Sequence, residues 1–400
     1  MDAPPFVLGP RGRRAWQAGR PWIFRDDLAH PPVPQAAAGA VPVHDLRGQR
    51  LGWADYSPQS QIALRLLSRE PEPEIDAAFW RLRLRHALAY RRKVVHDSEA
   101  YRLVWGEADG LPGLVADVYG PALAVQFLTA AMDARQEFFL RELEALLAPR
   151  ALALRNDSRA RLAEGLALEA RMVHGGERTR CRIHGLEWEF DLLHGQKTGA
   201  FLDQRENWRA AQAWLARDLG YAGTPAAGAR VLDVCCHQGG FALHLAAAGA
   251  RVEGVDLSRP ALELAEANAR LNRLQIRWTQ ANAFDLLRDY QAGEKRYEMI
   301  VLDPPAFAKS PRQLAGAARG YKELNLRALK MLTPGGLLLT CSCSHHVSAA
   351  DLLAVVSAAA QDARRPLRIL EQRQQALDHP VMANLHESGY LKCLVLQAAS

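Results

Sequence analysis

Val231-Leu232-Asp233-Val234-Cys235-Cys236-His237-Gln238-Gly239-Gly240-Phe241 reads as a short apolar strand, a glycine turn and the start of a helix. The run before the turn is too short for a helix, and paired glycines let a chain reverse sharply and let a ligand approach its main chain. The same alternation continues downstream. Strands are expected at Val231–Val234, Arg251–Val255, Ile276–Gln280, Met299–Leu302 and Leu337–Cys341. Helices are expected near Phe241–Ala248, Pro260–Asn272, Phe284–Asp289, Gln313–Leu332 and Ala349–Ala363. Regular β–α alternation builds an α/β domain with a doubly wound parallel sheet. Two late strands, Leu367–Gln372 and Tyr390–Leu396, are placed antiparallel at one edge. Ligands of such sheets sit at the carboxyl ends of the strands.

The turn is not G-x-G-x-x-G, which disfavours a dinucleotide. Asp233 inside it repels a pyrophosphate and suits a cationic ligand. S-adenosylmethionine carries both a sulfonium and an amino group. The turn residues Gln238, Gly239, Gly240 and Phe241 are its candidate cradle. The second strand ends at Asp256, followed by Leu257, where a carboxylate can accept from ribose hydroxyls. The third ends near Asn282-Ala283, where a polar side chain can read an adenine edge. An Asp or Asn in these places also serves as a helix cap. Three pieces in order on successive strands favour the cofactor.

The fourth strand ends in Asp303-Pro304-Pro305-Ala306-Phe307. Two prolines hold the backbone extended and present Asp303, Pro304 and an aromatic that can stack on a base, although a rigid turn with a core Phe would look the same. The fifth ends in Thr340-Cys341-Ser342-Cys343-Ser344, next to the fourth in a sheet of this kind. Carbon 5 of a pyrimidine is a poor nucleophile, and thiolate addition at carbon 6 activates it. Cys343, nearer the cleft, is the candidate nucleophile, with Asp303 beside it; Cys341 is read as packing. A buried structural thiol is the other reading of Cys343.

The chain of 400 residues carries a net charge of +6, and 43 of its 50 basic residues are Arg. Residues 1–100 hold 15 basic and 11 acidic groups, so most of the surplus comes early and points to a polyanionic partner. Three regions are expected: a β-barrel over 1–70, an α+β domain over 75–190 led by an arginine-rich helix (Ile75 to Val95), and 191–400. Short strands are read at Phe6–Leu8, Val41–Asp45, Arg50–Tyr56 and Ile62–Leu67, with a loop from Pro31 to Pro42 and a break at 71–74. Arg11, Arg13, Arg14 and Arg20 interleave with Trp16, Trp22 and Phe24, a pattern suited to RNA phosphates and bases. No apolar stretch reaches membrane length, and Met1 to Pro5 lacks a secretory pattern, so a soluble cytoplasmic protein without a membrane partner is expected. No C-x-x-C pair suggests zinc among the six cysteines.

With these pieces in place, the chain resembles the RlmI-type rRNA large-subunit methyltransferases. The resemblance rests on Gly239-Gly240-Phe241, Asp303 to Phe307, Ser342-Cys343-Ser344 and Asp378-His379-Pro380-Val381. Upstream it includes Gly19 to Phe24, Tyr56-Ser57-Pro58, Gly106 to Gly113, Lys197-Thr198-Gly199 and Leu202 to Arg205. It implies an N-terminal PUA domain, a middle domain and a Rossmann-like methyltransferase domain. It also implies methyl transfer from S-adenosylmethionine to carbon 5 of a cytosine in 23S rRNA, Cys343 as nucleophile, and residues around Gln204 enclosing the cofactor. The chain departs from the pattern at Cys235 to Gln238, Asn282 and His345-His346. Methylation of a base nitrogen, which needs no thiol, and a non-catalytic RNA-binding protein are the competing readings. A homodimer is compatible with the sequence.

Overall fold

A computed structural model of the chain describes residues 6–31, 37–71, 74–221, 228–308 and 310–399. They form two compact units, each discontinuous in sequence. The first comprises Met1–Gly185, Phe190–Phe201 and Leu377–Ser388; the second comprises Leu186–Glu189, Leu202–Ala376 and Gly389–Ser400. No helix among the described residues is long and apolar enough to cross a membrane.

The first unit opens with β1 (Phe6–Val7), α1 (Pro10–Gln17), β2 (Trp22–Phe24), β3 (Gly39–His44), β4 (Arg50–Tyr56) and β5 (Ile62–Ser68). Its sheet has the order β1-β3-β4-β5-β2. The sequence reading lacks α1 and β2. Pro10 starts α1 at the first helical position, where its missing N–H is no loss. Trp16 on α1 is only 3% exposed and packs with Leu8, Ile23, Val43 and Leu64, so this ring belongs to the core. β3 begins at Gly39, inside the segment read as a loop; residues 32–36 of that loop, residues 72–73 of the break and Met1 to Pro5 lie outside the described residues.

There follow α2 (Ala77–Val94), β6 (Ala100–Trp105), β7 (Leu114–Tyr119), β8 (Ala122–Phe127), α3 (Ala130–Asp133), α4 (Gln136–Leu147), β9 (Ala151–Asn156), β10 (Glu169–His174) and β11 (Arg178–Ile183), and then β12 (Leu186–Asp191), whose first four residues belong to the second unit. A second sheet has the order β10-β9-β8-β7-β6. α3 and α4 are separated by Arg135, whose guanidinium reaches back to Asp55 on β4 with bonds of 2.8 and 3.0 Å. Arg65 meets Glu164 at 2.7 Å, and Trp22 Nε1 donates to Glu107 at 2.9 Å. These pairs tie the two sheets of this unit together. Removing one partner of a buried pair typically destabilises by about 3–5 kcal/mol.

The Asp378-His379-Pro380-Val381 motif is also structural here. Arg91, 1% exposed on α2, donates to the carbonyls of Arg102 and Asp378 at 2.9 and 2.8 Å. Arg102 N donates to Asp378 Oδ2 at 2.9 Å, while its guanidinium holds Asp117 with two bonds of 2.8 and 2.6 Å.

The second unit contains α5 (Arg205–Tyr221), β13 (Arg230–Val234), α6 (Gly240–Ala247), β14 (Arg251–Asp256), α7 (Arg259–Leu271), β15 (Ile276–Gln280), α8 (Ala283–Ala292), β16 (Tyr297–Leu302), α9 (Leu314–Met331), β17 (Leu332–Ser342), α10 (Ala349–Ala363), β18 (Leu367–Arg373) and β19 (Lys392–Ala398). The sheet order is β15-β14-β13-β16-β17-β19-β18. Its first five strands are parallel, and β19 runs antiparallel between β17 and β18. The doubly wound sheet and its antiparallel edge agree with the sequence reading. Because β14 and β16 flank β13 on opposite sides, the chain switches direction at the carboxyl end of β13 and opens a crevice there. The core joins Leu232, Ile300 and Leu338 of the sheet to Leu324, Leu329 and Val356 of α9 and α10. α5 is absent from the sequence reading, although the buried Trp208, Ala211 and Leu215 carry helical spacing.

α6 is buried from Gly240 to Ala246. Trp208 stacks on Trp188 at 5.5 Å, and a Cβ at Gly240 would stand 2.3 Å from Trp208. His244 packs against the same rings, with Nδ1 2.8 Å from Gly240 O, and burial lowers its pKa to about 4. Between pH 6.5 and 4 the unfolded chain therefore binds a proton that the folded chain does not. The stability at stake is fully present above pH 6.5 and declines by about 3 kcal/mol on acidification to pH 4. His244→Leu should flatten this decline. Urea midpoints at pH 7 and 4.5, read by tryptophan fluorescence, check it; an undiminished difference between the two pH values would count against it.

Candidate active site

The turn after β13 is held in an unfavourable backbone conformation. Cys235, His237 and Gly239 all have left-handed φ values, of 63°, 48° and 85°. For non-glycine residues this costs of order 1–2 kcal/mol each. Hydrogen bonds offset it: Cys236 N donates to Val255 O at 3.0 Å and His237 N to Asp256 Oδ2 at 2.8 Å. Gly239 has a second reason to be glycine, since a Cβ there would lie 2.8 Å from Trp278. The close approaches that select Gly239 and Gly240 come from the protein's own tryptophans. Gln238 and Phe241 are buried in the same turn.

Three carboxylates meet above it. Asp233 is fully buried; its Oδ2 accepts from Ala242 N at 2.9 Å, and its Oδ1 has no partner among the described residues. Burial, with Asp303 and Asp256 nearby, raises its pKa well above the usual carboxylate range. Asp256, at the end of β14, accepts from His237 N and from Ser258 N at 2.8 Å each. Asp303 Oδ1 accepts from Gln204 Nε2 at 2.9 Å, and Gln204 Oε1 accepts from Asn207 Nδ2 at 2.6 Å. So Asp233, Asp256, Asp303 and Gln204 do come together. Leu257 is exposed and its carbonyl accepts from Gln280. Asn282 caps α8 through Phe284 N at 2.9 Å, with Ala283 as the first residue of that helix.

The second half of the crevice lies at the ends of β16 and β17. β17 stops at Ser342, so Cys341 and Cys343 do not continue one strand face. Cys341 is fully buried opposite Cys393 on β19. Cys343 is half-buried, with Sγ 3.9 Å from Pro304 O. Its flanking serines explain its placement. Ser342 Oγ donates to Tyr321 Oη at 2.9 Å, and Ser344 Oγ is bonded to the same hydroxyl at 3.0 Å. Ala308 N donates to Ser344 Oγ at 3.3 Å, which fastens the Asp-Pro-Pro loop alongside. Phe307 packs on Tyr321 and Phe284, with ring centres 4.8 and 6.0 Å away. Cys235 is the other half-buried cysteine, and burial with three nearby aspartates pushes its thiol far up.

The sequence reading overlooks Lys392 and Tyr390. Tyr390 Oη donates to Asp203 Oδ2 at 2.5 Å beside Gln204. Lys392 Nζ donates to Ser344 O at 2.6 Å and to Tyr390 O at 2.7 Å. A signal existed: Lys392 interrupts the apolar run Tyr390 to Leu396 in a chain that has only seven lysines. His345 lies exposed against Tyr390, ring centres 5.4 Å apart.

In the first unit, Arg14 and Arg20 are exposed and have no side-chain partner among the described residues. Arg11 is bonded to Asp27 at 2.8 Å, and Arg13 lies 3.4 Å from Asp45.

Comparison with known proteins agrees with this geometry. Residues 6–69 match a PUA-like domain, and residues 150–395 match the S-adenosylmethionine-dependent methyltransferase family. The ribosomal RNA large subunit methyltransferase I of Tolumonas auensis is 38% identical over 388 residues, covering 94% of this chain and 95% of that one. The protein of the same name from Escherichia coli is 34% identical over 396 residues, covering 97% of each. A putative methyltransferase of Streptococcus mutans shares the fold, with a TM-score of 0.79 at 18% identity over 99% of this chain and 100% of that one.

The crevice fits a cationic cofactor. Three carboxylates repel one another there, and Asp233 Oδ1 is buried without a partner, so positive charge relieves both conditions. Binding of S-adenosylmethionine should restore the ionised form of Asp233 and so release a proton. Calorimetry at pH 6 in buffers of different ionisation heat should detect that release in the native protein and lose it in Asp233→Asn. Equal release from both proteins would rule Asp233 out as the source.

Proposed function

The chain belongs to the S-adenosylmethionine-dependent methyltransferase family, and from that premise we propose that it methylates carbon 5 of a cytosine in large-subunit (23S) rRNA through a covalent adduct at Cys343. The observation that carries this reading is the contact between Cys343 Sγ and Pro304 O, which joins the thiol to the Asp-Pro-Pro turn. Of the six cysteines, four are buried and Cys235 is held protonated, so Cys343 is the thiol suited to attack. The full-length likeness to rRNA large-subunit methyltransferases I supports rRNA as substrate, and such a substrate implies a cytoplasmic enzyme.

The cofactor supplies an electrophilic methyl on sulfonium, held by Asp233, Asp256 and the turn Gln238 to Phe241. The Cys343 thiolate adds to carbon 6 of the extruded cytosine, and the displaced π electrons let carbon 5 take the methyl. A base then removes the carbon 5 proton, the double bond re-forms and the thiolate leaves. Asp303, fixed by Gln204, is positioned to hold the ring nitrogen or exocyclic amine as charge develops. Pro304 contacts the base, and Phe307 can stack on it only with the part of its ring not covered by Tyr321 and Phe284.

Cys343→Ala should abolish methylation and leave cofactor affinity nearly unchanged, while Cys341→Ala should affect packing alone. RNA carrying 5-fluorocytidine at the target should become covalently attached to the native protein and not to the variant. Normal turnover by Cys343→Ala, or a product methylated on nitrogen by nucleoside mass spectrometry, would favour the nitrogen-methylating reading. The PUA-like domain would grip RNA phosphates through Arg14 and Arg20. Replacing both by Ala should weaken RNA binding and reduce the log–log salt slope by about 0.7 per lost contact. An unaltered slope would remove these two arginines from the interface.

A further inference from the structure

Lys392 is a buried cation that the chemistry above does not use. Only 8% of it is exposed, and it lies opposite Ser342 at the start of β19. Its Nζ spends two donors on the carbonyls of Ser344 and Tyr390, both neutral acceptors. No carboxylate forms an ion pair with it among the described residues. Asp351, at the start of α10, is the acid whose charge it senses, and that carboxylate is occupied by Ser348 N and Oγ at 2.9 and 2.6 Å. An uncompensated buried ammonium is strongly unfavourable and calls for an anion. The group beside it, across the Ser344 carbonyl, is Cys343.

We propose that Lys392 is a positioning residue whose ammonium, fixed by the Ser344 and Tyr390 carbonyls, holds Cys343 as a thiolate ready to add to the base. The inference rests on Cys343 being the nucleophile. In the activating step the Cys343 S–H bond breaks and its proton passes to solvent. The electron pair left on sulfur forms the bond to carbon 6. Lys392 keeps its three protons throughout, and its charge acts on the sulfur across the Ser344 carbonyl before addition and after release.

The electrostatics agree. Burial draws the lysine pKa down to about 8, and Cys343 and then Asp351 push it back up. A thiol and an amine that sense each other's charge titrate as one system, in which the ammonium favours the thiolate over the thiol. The other groups at this corner are Tyr321 on α9, whose hydroxyl is engaged by both serines and senses Cys343, Asp303, whose charge Cys341 senses, and His345, whose ring lies exposed against Tyr390. Tyr321 and Asp303 supply no positive charge, and His345 is open to solvent where Lys392 is buried. Lysine is also the chain's uncommon cation, and its compact ammonium suits two carbonyls and one sulfur better than a planar guanidinium does.

The test needs neither RNA nor cofactor. Alkylation of Cys343 in the full chain by iodoacetamide, followed by peptide mass spectrometry from about pH 6 to 10, reads the thiol's midpoint. The native midpoint should fall below the ordinary value of about 8.5. Lys392→Met should raise it by about one unit or more, a roughly tenfold loss of reactive thiolate at pH 7. An unshifted midpoint in the variant would overturn the proposal. So would a native midpoint at or above about 8.5, which requires no variant to fold. Methylation by Cys343→Ala judges the nucleophile separately. If that variant is dead but Lys392→Met leaves the thiol unaltered, the nucleophile stands and the lysine's role falls; if it still methylates while the midpoint shifts, the reverse holds.

Discussion

Asp233, Asp256 and Asp303 sit at the carboxyl ends of three adjacent parallel strands, and the burial of Asp233 beside the other two, which raises its pKa, is the constraint on which the crevice depends. The ends of β14, β13 and β16 lie side by side because the strands are parallel and paired in register. Each carboxylate is steadied by donors of its own: Ala242 N for Asp233, His237 N and Ser258 N for Asp256, Gln204 Nε2 for Asp303. The donors come from α6, from the strained turn, from the start of α7 and from the residues before α5. Four segments thus supply donors to one cluster of carboxylates, which a cationic cofactor completes.

A second condition operates one strand away. Tyr321 on α9 binds the hydroxyls of Ser342 and Ser344 at once, so the residue between them is presented towards the Asp-Pro-Pro turn. The Ser-Cys-Ser motif is a mount for its cysteine. The same physics makes Cys341, two residues earlier, inert: buried against Cys393, its thiol is pushed up by burial and by its neighbour.

The first unit adds buried ion pairs to its two apolar cores, one around Trp80, Leu103 and Phe127 and one around Trp16, Ile23 and Leu64. Arg65, Arg91, Arg102, Arg135 and Arg155 are each tied to carboxylates inside it. Many of the arginines that make this chain basic are therefore interior struts. Arg14 and Arg20, on the small sheet's helix and its following turn, are among the exposed ones available to a polyanion. Counting charges along the sequence could not separate the two kinds, since burial depends on residues far apart in the chain: Arg65 meets Glu164, and Arg135 meets Asp55.

By itself the sequence determined what is local. The alternation of apolar strands with helices of period 3.6, the glycine turn at 239–240, the proline-stiffened Asp303 and the antiparallel final strands all follow from neighbours within a few residues. Tertiary structure decided what depends on distant partners. Gly239 and Gly240 are required by Trp278 and Trp208, which approach from β15 and α5. Asn282 is occupied in capping α8, and Trp16 proves to be core. Leu377–Ser388 belongs to the first unit although its chain neighbours belong to the second, because Asp378 completes the hydrogen bonding of Arg91 and Arg102. Lys392 reaches the Ser-Cys-Ser turn only because β19 inserts beside β17, a pairing across some 50 residues that no local period encodes.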